Sequence, residues 1–402
     1  MPIADAIREA QSKSSWIRRM FEEGAQLKKR YGADKVFDFS IGNPDVEPPA
    51  AFHETLVRLA TEDARGTHGY MANAGYPAVR EALARKASSD HGVTIDGSRV
   101  VMAVGAAGGL NTVLKAILNP GDEVVVSRPY FVEYGAYIAN HGGRMVLVDS
   151  KDDFDLDVAA IAAAMSPRTA AFLLNSPNNP TGRVYPASTI AALADALRAH
   201  GKACGRRPYI IADEPYREIV YNGITVPPVL SAYEESIVVT SYSKSLSLPG
   251  ERIGYIAVGP EAAEPEELMG ALAFSTRVLG FVNAPALMQR VVSELTEARV
   301  DVGIYAHRRD AFKSVLDGAR IEYAEPEGAF YLFCKVPPKG SDGSRDDVAF
   351  TMALKDKLVL AVPGSGFGAP GWFRLSYCID EKTIEASRPA FKAAADGWRS
   401  AR

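Results

Sequence analysis

The stretch "SIVVTSYSKSLSLPGERIGYIAVG" (236–259) decides the fold. Two apolar, β-branched runs frame a polar turn that holds Lys244, Ser241, Ser243 and Arg252. Runs that stay apolar on consecutive residues read as strands buried on both faces, not as strands with one wet side. The same pattern recurs in "SRVVMAVG" (98–105), "GDEVVVSRP" (121–129), "RMVLVDS" (144–150), "TAAFLLNSP" (169–177) and "RPYIIADEP" (207–215). Helical stretches separate several of these, among them "GGLNTVLKAIL" (108–118), "YGAYIANHGG" (134–143) and "STIAALADALRAHGK" (188–202). Seven buried strands alternating with helices predict an α/β fold: a large domain with a mainly parallel sheet covered by helices on both faces.

The remainder reads differently. "RVDVGIYAHRRDAFKSVLDGA" (299–319) is predicted as a long helix, and "ARIEYAEPEGAFYLFCKV" (319–336) and "WFRLSYC" (372–378) as strands of a smaller sheet. The expected organisation is an N-terminal segment (1–47) packing on the small domain, a large domain (48–285) and a smaller α+β domain (286–402). A chain of 402 residues exceeds one compact core, which agrees with two domains.

Composition excludes several classes. The formal net charge of −4 carries no basic excess for nucleic acid or an anionic membrane surface. No apolar run approaches the ~18 residues that suggest a membrane span, so a cytoplasmic protein is the default expectation. Cys204, Cys334 and Cys378 make no CxxC pair, and the six histidines form no HExxH, so neither a disulfide framework nor a metal site is expected.

In parallel sheets ligands lie beyond the carboxyl ends of the strands. The predicted strands end on Gly105, Asn175 to Thr181, Asp213, and Ser241 to Lys244. "VGAAGG" (104–109) would let the backbone N–H groups of Ala106 and Ala107 approach an anion at a helix start, although close strand–helix packing explains the small residues equally well. "NSPNNPTG" (175–182) is either a plain turn or a rigid mount for the Asn179 amide. A carboxylate such as Asp213 at the end of an apolar strand is costly unless a cation meets it or it caps a helix. Lys244 becomes a nucleophile toward a carbonyl when burial or nearby positive charge lowers its pKa. Arg252 and the two serine hydroxyls suit a phosphate.

"NNPTG", "ADEPY" and "SYSKSLSLPGERIGY", in this order and spacing, resemble the class I/II aminotransferases, pyridoxal-phosphate enzymes of fold type I. The resemblance runs from "FSIGNPD" (39–45) to "WFRLSY" (372–377). It implies pyridoxal 5'-phosphate joined to Lys244, with Asp213 on the ring nitrogen and Asn179 and Tyr216 on the ring oxygen. Ser241, Ser243, Arg252 and the backbone of Gly105, Ala106 and Ala107 would hold the phosphate, and Phe131 would stack on the ring. Arg374 would grip the substrate α-carboxylate, with Gly42 close by. A homodimer with shared sites is implied too, Tyr70 reaching the neighbouring subunit's cofactor phosphate.

The resemblance implies transfer of an amino group from an L-amino acid to a 2-oxo acid, with 2-oxoglutarate as acceptor and an aspartate-like or broad donor range. Arg277 falls near the place where aspartate-type relatives carry an arginine for the distal carboxylate, and it reads equally as a surface arginine. Ala107 stands where some bacterial aspartate enzymes carry a lysine, which argues against a dicarboxylate. The segment 14–24, with Trp16 and Arg18, is either part of the site or an amphipathic helix on the small domain. A pyridoxal-phosphate lyase shares the same core motifs. A non-catalytic cofactor-binding regulator would need a DNA-binding domain, for which the residues before the large domain leave little length.

Overall fold

The computed structural model describes residues 3–4, 7–8, 16–62, 65–341 and 343–401, with backbone alone for 16–19 and 21. Among the described residues twelve strands run in chain order: β1 (Phe37–Asp38), β2 (Val100–Ala103), β3 (Glu123–Arg128), β4 (Arg144–Asp149), β5 (Thr169–Asn175), β6 (Tyr209–Asp213), β7 (Ser236–Ser241), β8 (Gly254–Val258), β9 (Tyr331–Lys335), β10 (Val359–Leu360), β11 (Val362–Pro363) and β12 (Trp372–Ser376).

Seven of them form one sheet in the order β2-β8-β7-β6-β5-β3-β4. The pairs β7–β6, β6–β5, β5–β3 and β3–β4 are parallel, and β8 runs antiparallel to both its neighbours. The consecutive apolar residues of these strands serve two cores, because successive side chains leave opposite faces. Met102, Val125, Phe172, Ile210 and Val238 enter one core. Val101, Val124, Leu173, Ile211 and Val239 enter the other. The large mainly parallel sheet expected from the sequence is therefore present, with helices on both faces.

Beside it lies an antiparallel sheet of order β11-β12-β9, with β1 and β10 paired in parallel nearby. Its core gathers Phe312 and Leu316 of the helix Val302–Gly318, Phe391 and Trp398 of the helix Arg388–Ser400, and Phe39 of the N-terminal segment. Phe39 packs against Phe312 with the rings tilted by 55° and 4.6 Å between centroids. Met288, Val291 and Leu295 still belong to the core of the large sheet, while Val300 and Tyr305 belong to the smaller one. Tyr216 and Ile219, only a few residues beyond β6, also pack in the smaller core.

Two local differences from the sequence reading have plain causes. The helix expected from residue 108 starts at Gly105, because small residues fit a first turn that follows β2 directly. Of 319–336 only Tyr331–Lys335 is strand; Pro326 offers no N–H to a ladder and Gly328 weakens one. Among the described residues no helix is long and apolar enough to cross a membrane.

Gly254 sits between Ala103 of β2 and Ser241 of β7. A Cβ there would overlap the carbonyl oxygen of Thr240 and stand 3.1 Å from Ser241 Cα. Gly254→Ala is therefore expected to destabilise the protein by about 1–3 kcal/mol. A urea midpoint equal to that of the unmodified protein would count against this account of the β7–β8 pairing.

Candidate active site

A cavity of about 280 Å³ opens where the strand ends of the large sheet meet the smaller one. Gly42, Ala106, Ala107, Phe131 and Asn179 line it. So do Asp213, Tyr216, Ser241, Ser243, Lys244, Arg252 and Arg374. Residues from "FSIGNPD" to "WFRLSY", more than three hundred positions apart, thus converge on one space.

Asp213 ends β6, with Asn175 of β5 beside it in register. Asn175 donates from Nδ2 to the Asp213 carbonyl at 2.9 Å, and Tyr134 donates its hydroxyl to Asp213 Oδ2 at 2.6 Å. Oδ1 is buried without a partner. Burial pushes the carboxyl up to about 7; the Tyr134 hydrogen bond opposes this and the neighbouring Glu214 charge adds to it. Glu214 makes the contrast clear. Equally buried, it is held below its ordinary value against that burial by Arg217 at 3.0 Å and His91 at 3.3 Å. One acid is fully paired and the other is left facing the cavity.

Lys244 lies in the short helix Tyr242–Ser245 that follows β7. Its Nζ donates to the Gly42 carbonyl at 2.7 Å and stands 5.3 Å from the Phe330 ring centroid. Part of the residue meets solvent in the cavity, yet the amine is enclosed. Burial, opposed by Cys378 and aided by the positive charges of Arg374 and Arg252, lowers its pKa to about 8. The turn continues through Pro249–Glu251 to Arg252, whose φ of 51° aims it back along the strand end. Gly105, at φ +67°, does not line the cavity, but a Cβ there would stand 2.8 Å from Arg252 Nη2. Glycine lets the guanidinium lie against the start of the helix Gly105–Ile117. With Ser241, Ser243 and the first-turn amides of that helix, this corner is built for an anion.

Arg374 projects from β12 and is only 2% exposed. Nη1 donates to Asn179 Oδ1 at 2.9 Å and Nη2 to the Ser40 carbonyl at 2.8 Å, while Nε has no partner. The guanidinium lies over the rings of Tyr331 (4.4 Å) and Phe367 (4.8 Å). Burial lowers its pKa.

The structure adds residues that the sequence reading missed. Tyr331 lines the cavity, and its hydroxyl is 2.9 Å from that of Tyr216. Tyr134 meets Phe131 edge-on at 5.5 Å, the i, i+3 spacing being its one sequence signal. Two expected residues stand apart: Tyr70 is 93% exposed, and Arg277 is exposed in the last turn of the helix Pro265–Val278. Neither lines the cavity of this subunit. The side chains of Trp16 and Arg18 lie outside the described residues.

The family model for aminotransferase class I and II matches residues 34–388. The chain belongs to the class I and II aminotransferases. Among aminotransferases of known sequence, the aspartate/prephenate aminotransferase of Thermus thermophilus is 32% identical, over 90% of this chain and 91% of that one. An amino transferase from Eubacterium rectale superposes with a TM-score of 0.94 at 38% identity, covering 99% of each chain. The aspartate aminotransferase from Thermus thermophilus with maleate gives 0.85 at 29% identity, over 98% of this chain and 100% of that one.

The Asp213 shift sets a pH test. A carboxyl raised in the folded state stabilises that state fully below its unfolded pKa, and this contribution is lost as pH rises through the folded value. The cofactor-free protein is thus expected to lose roughly 3–4 kcal/mol between about pH 4 and 7, and Asp213→Asn to remove that slope. Parallel denaturation profiles for the two proteins across this range would show that Asp213 is already paired.

Proposed function

We propose that this aminotransferase moves the α-amino group of an L-amino acid to a 2-oxo acid, with pyridoxal 5'-phosphate seated at Lys244. The observation that carries the reading is the buried, unpaired Asp213 Oδ1 facing a cavity that also holds a depressed lysine and an anion-binding corner. These groups fit that cofactor part for part. Lys244 would take the aldehyde, Asp213 Oδ1 the ring nitrogen, and Tyr216 the ring oxygen. Asn179 gives its carbonyl to Arg374, which leaves its NH₂ for the same ring oxygen. Ser241, Ser243, Arg252 and the amides of Gly105, Ala106 and Ala107 would take the phosphate, and Phe131 would cover the ring.

When bound, the cofactor supplies an electron sink for the bonds at the substrate Cα. The chain does the rest. Arg374 holds the α-carboxylate with its free Nε and its fork geometry. Lys244 Nζ, near pKa 8, is about one-tenth neutral at pH 7, roughly 300-fold more than an unperturbed lysine, and so can accept the Cα proton. Asp213, about half protonated near pH 7 without a partner, ionises fully once a cation meets Oδ1.

For the substrates we propose 2-oxoglutarate as acceptor and an aspartate-like or broad donor range. The names of the relatives, one aspartate/prephenate and one aspartate with maleate, support carboxylate-bearing substrates. Among the described residues Arg374 is the one buried arginine on the cavity wall, and position 107 is alanine. A second carboxylate would therefore need a cation from elsewhere, for which Arg277 of the partner subunit is the candidate in a homodimer. The 93% exposure of Tyr70 supports the same assembly, with its hydroxyl at the partner's phosphate corner. The same reading divides the chain into an N-terminal segment 1–47, a cofactor-binding domain 48–285 and a small domain 286–402, whose first helix, Ala286–Ser293, packs back into the core of the large sheet.

Borohydride treatment of the holoenzyme is expected to fix a pyridoxyl group on Lys244. Lys244→Ala should lower turnover by at least about 10³-fold while the cofactor still binds. Titrating the bound cofactor's absorbance with each amino acid ranks the donors. Release of ammonia without an oxo acid would instead mark a lyase.

A further inference from the structure

Tyr331 occupies a place at the site that the proposed reaction does not yet use. Its ring carries the Arg374 guanidinium at 4.4 Å. Its hydroxyl meets that of Tyr216 at 2.9 Å, and a side chain at Gly42, whose carbonyl receives Lys244, would collide with it. Tyr216 and Tyr331 are both buried, and burial raises both phenols above their ordinary pKa, so each keeps its hydrogen at neutral pH.

Two phenols own two hydrogens, and the bond between them uses one. Among the described residues neither hydroxyl has a second partner, so the other hydrogen is free to serve a ligand in the cavity. Two arrangements satisfy this count. Either Tyr331 donates to Tyr216 and Tyr216 donates onward, or Tyr216 donates to Tyr331 and Tyr331 donates onward.

We propose that Tyr331 is a further substrate-contacting residue that reports occupancy of the Arg374 site to Tyr216 by reversing the direction of their shared hydrogen bond. The inference rests on the reading above, in which Arg374 takes a carboxylate and Tyr216 the cofactor's ring oxygen. With Arg374 free, Tyr331 donates to Tyr216, whose own hydrogen serves the ring oxygen. A carboxylate gripped by Arg374 is a stronger acceptor than a phenol and draws the Tyr331 hydrogen. Tyr216 then turns its hydrogen to Tyr331 and withdraws it from the ring oxygen. Only hydroxyl rotations are involved. Losing a donor at that oxygen makes the bound cofactor hold its proton more tightly, so a carboxylate raises the pH midpoint of the cofactor's visible absorbance.

Tyr331→Phe keeps the ring under Arg374 and removes the hydroxyl alone. The test is a spectrophotometric pH titration of both holoenzymes, with and without saturating succinate as an unreactive carboxylate. The upward shift caused by succinate is expected to be smaller by about one pH unit in Tyr331→Phe. The donor KM should rise roughly tenfold while kcat stays within about threefold, and the melting temperature should hold. Tyr216→Phe should remove the same increment, and the double variant no more than either alone. Equal shifts in the two holoenzymes, or additive losses in the double variant, overturn the inference. Cofactor fixed on Lys244 together with a shift that ignores Tyr331 overturns the inference alone; failure to fix it overturns the underlying reading as well.

Discussion

Three ionisable groups buried without a counter-ion set the terms for the rest of this molecule. Asp213, Lys244 and Arg374 face one cavity, and among the described residues none of them is in an ion pair. Isolated charge is among the most expensive things a protein interior can hold, and pKa values shift in response. That is what happens here: the acid is pushed up, and the lysine and arginine are pushed down. Glu214 shows that the chain can neutralise such a group when it has no other use, since Arg217 and His91 close over it one residue away.

The sheet is what makes this tolerable. β6 is flanked in parallel by β5 and β7, so Asp213 is held by ladders on both sides and cannot turn toward solvent. The antiparallel β8 returns immediately beside β7, and the chain between them has little freedom. It must pass through Lys244, Pro249 and the left-handed Arg252 before re-entering the sheet at Gly254. Amine and guanidinium are thereby fixed relative to each other by backbone pairing, not by contact between themselves. Polar groups placed on rigid elements in this way need little reorganisation to meet a ligand's charge.

Legibility in the sequence followed the range of each interaction. The seven strands could be read because burial on both faces writes a continuous apolar run, as in "SIVVTS" and "TAAFLLN". The cluster from Lys244 to Arg252 was readable because one short turn contains it. Their order in the sheet, with β8 inserted between β2 and β7, was not written in any local pattern. Tyr331 was hidden for a related reason: in "GAFYLFCKV" it alternates like any core strand residue, and only the approach of β9 to the loop after β6 turns its hydroxyl toward Tyr216. Asn179 was legible as an amide on a proline-bounded turn, yet its hold on Arg374 spans 195 positions. Tyr70 and Arg277 are a different case, since their expected use belongs to a second copy of the chain.

The cavity is a joint product of two cores. Arg374 rides on β12 of the small sheet but is oriented by Asn179, which follows β5 of the large one, and by Ser40 of the N-terminal segment. Tyr216 leaves the large sheet three residues after Asp213 and buries its ring among Phe330 and Tyr331 of the small one. A ligand bridging Asp213 and Arg374 would therefore touch groups whose positions are set by different hydrophobic clusters. Its binding energy would couple the two, because moving either core relative to the other would spoil one end of the contact. This explains why the groups lining the cavity are so far apart in sequence: a cavity at the seam draws its walls from both cores.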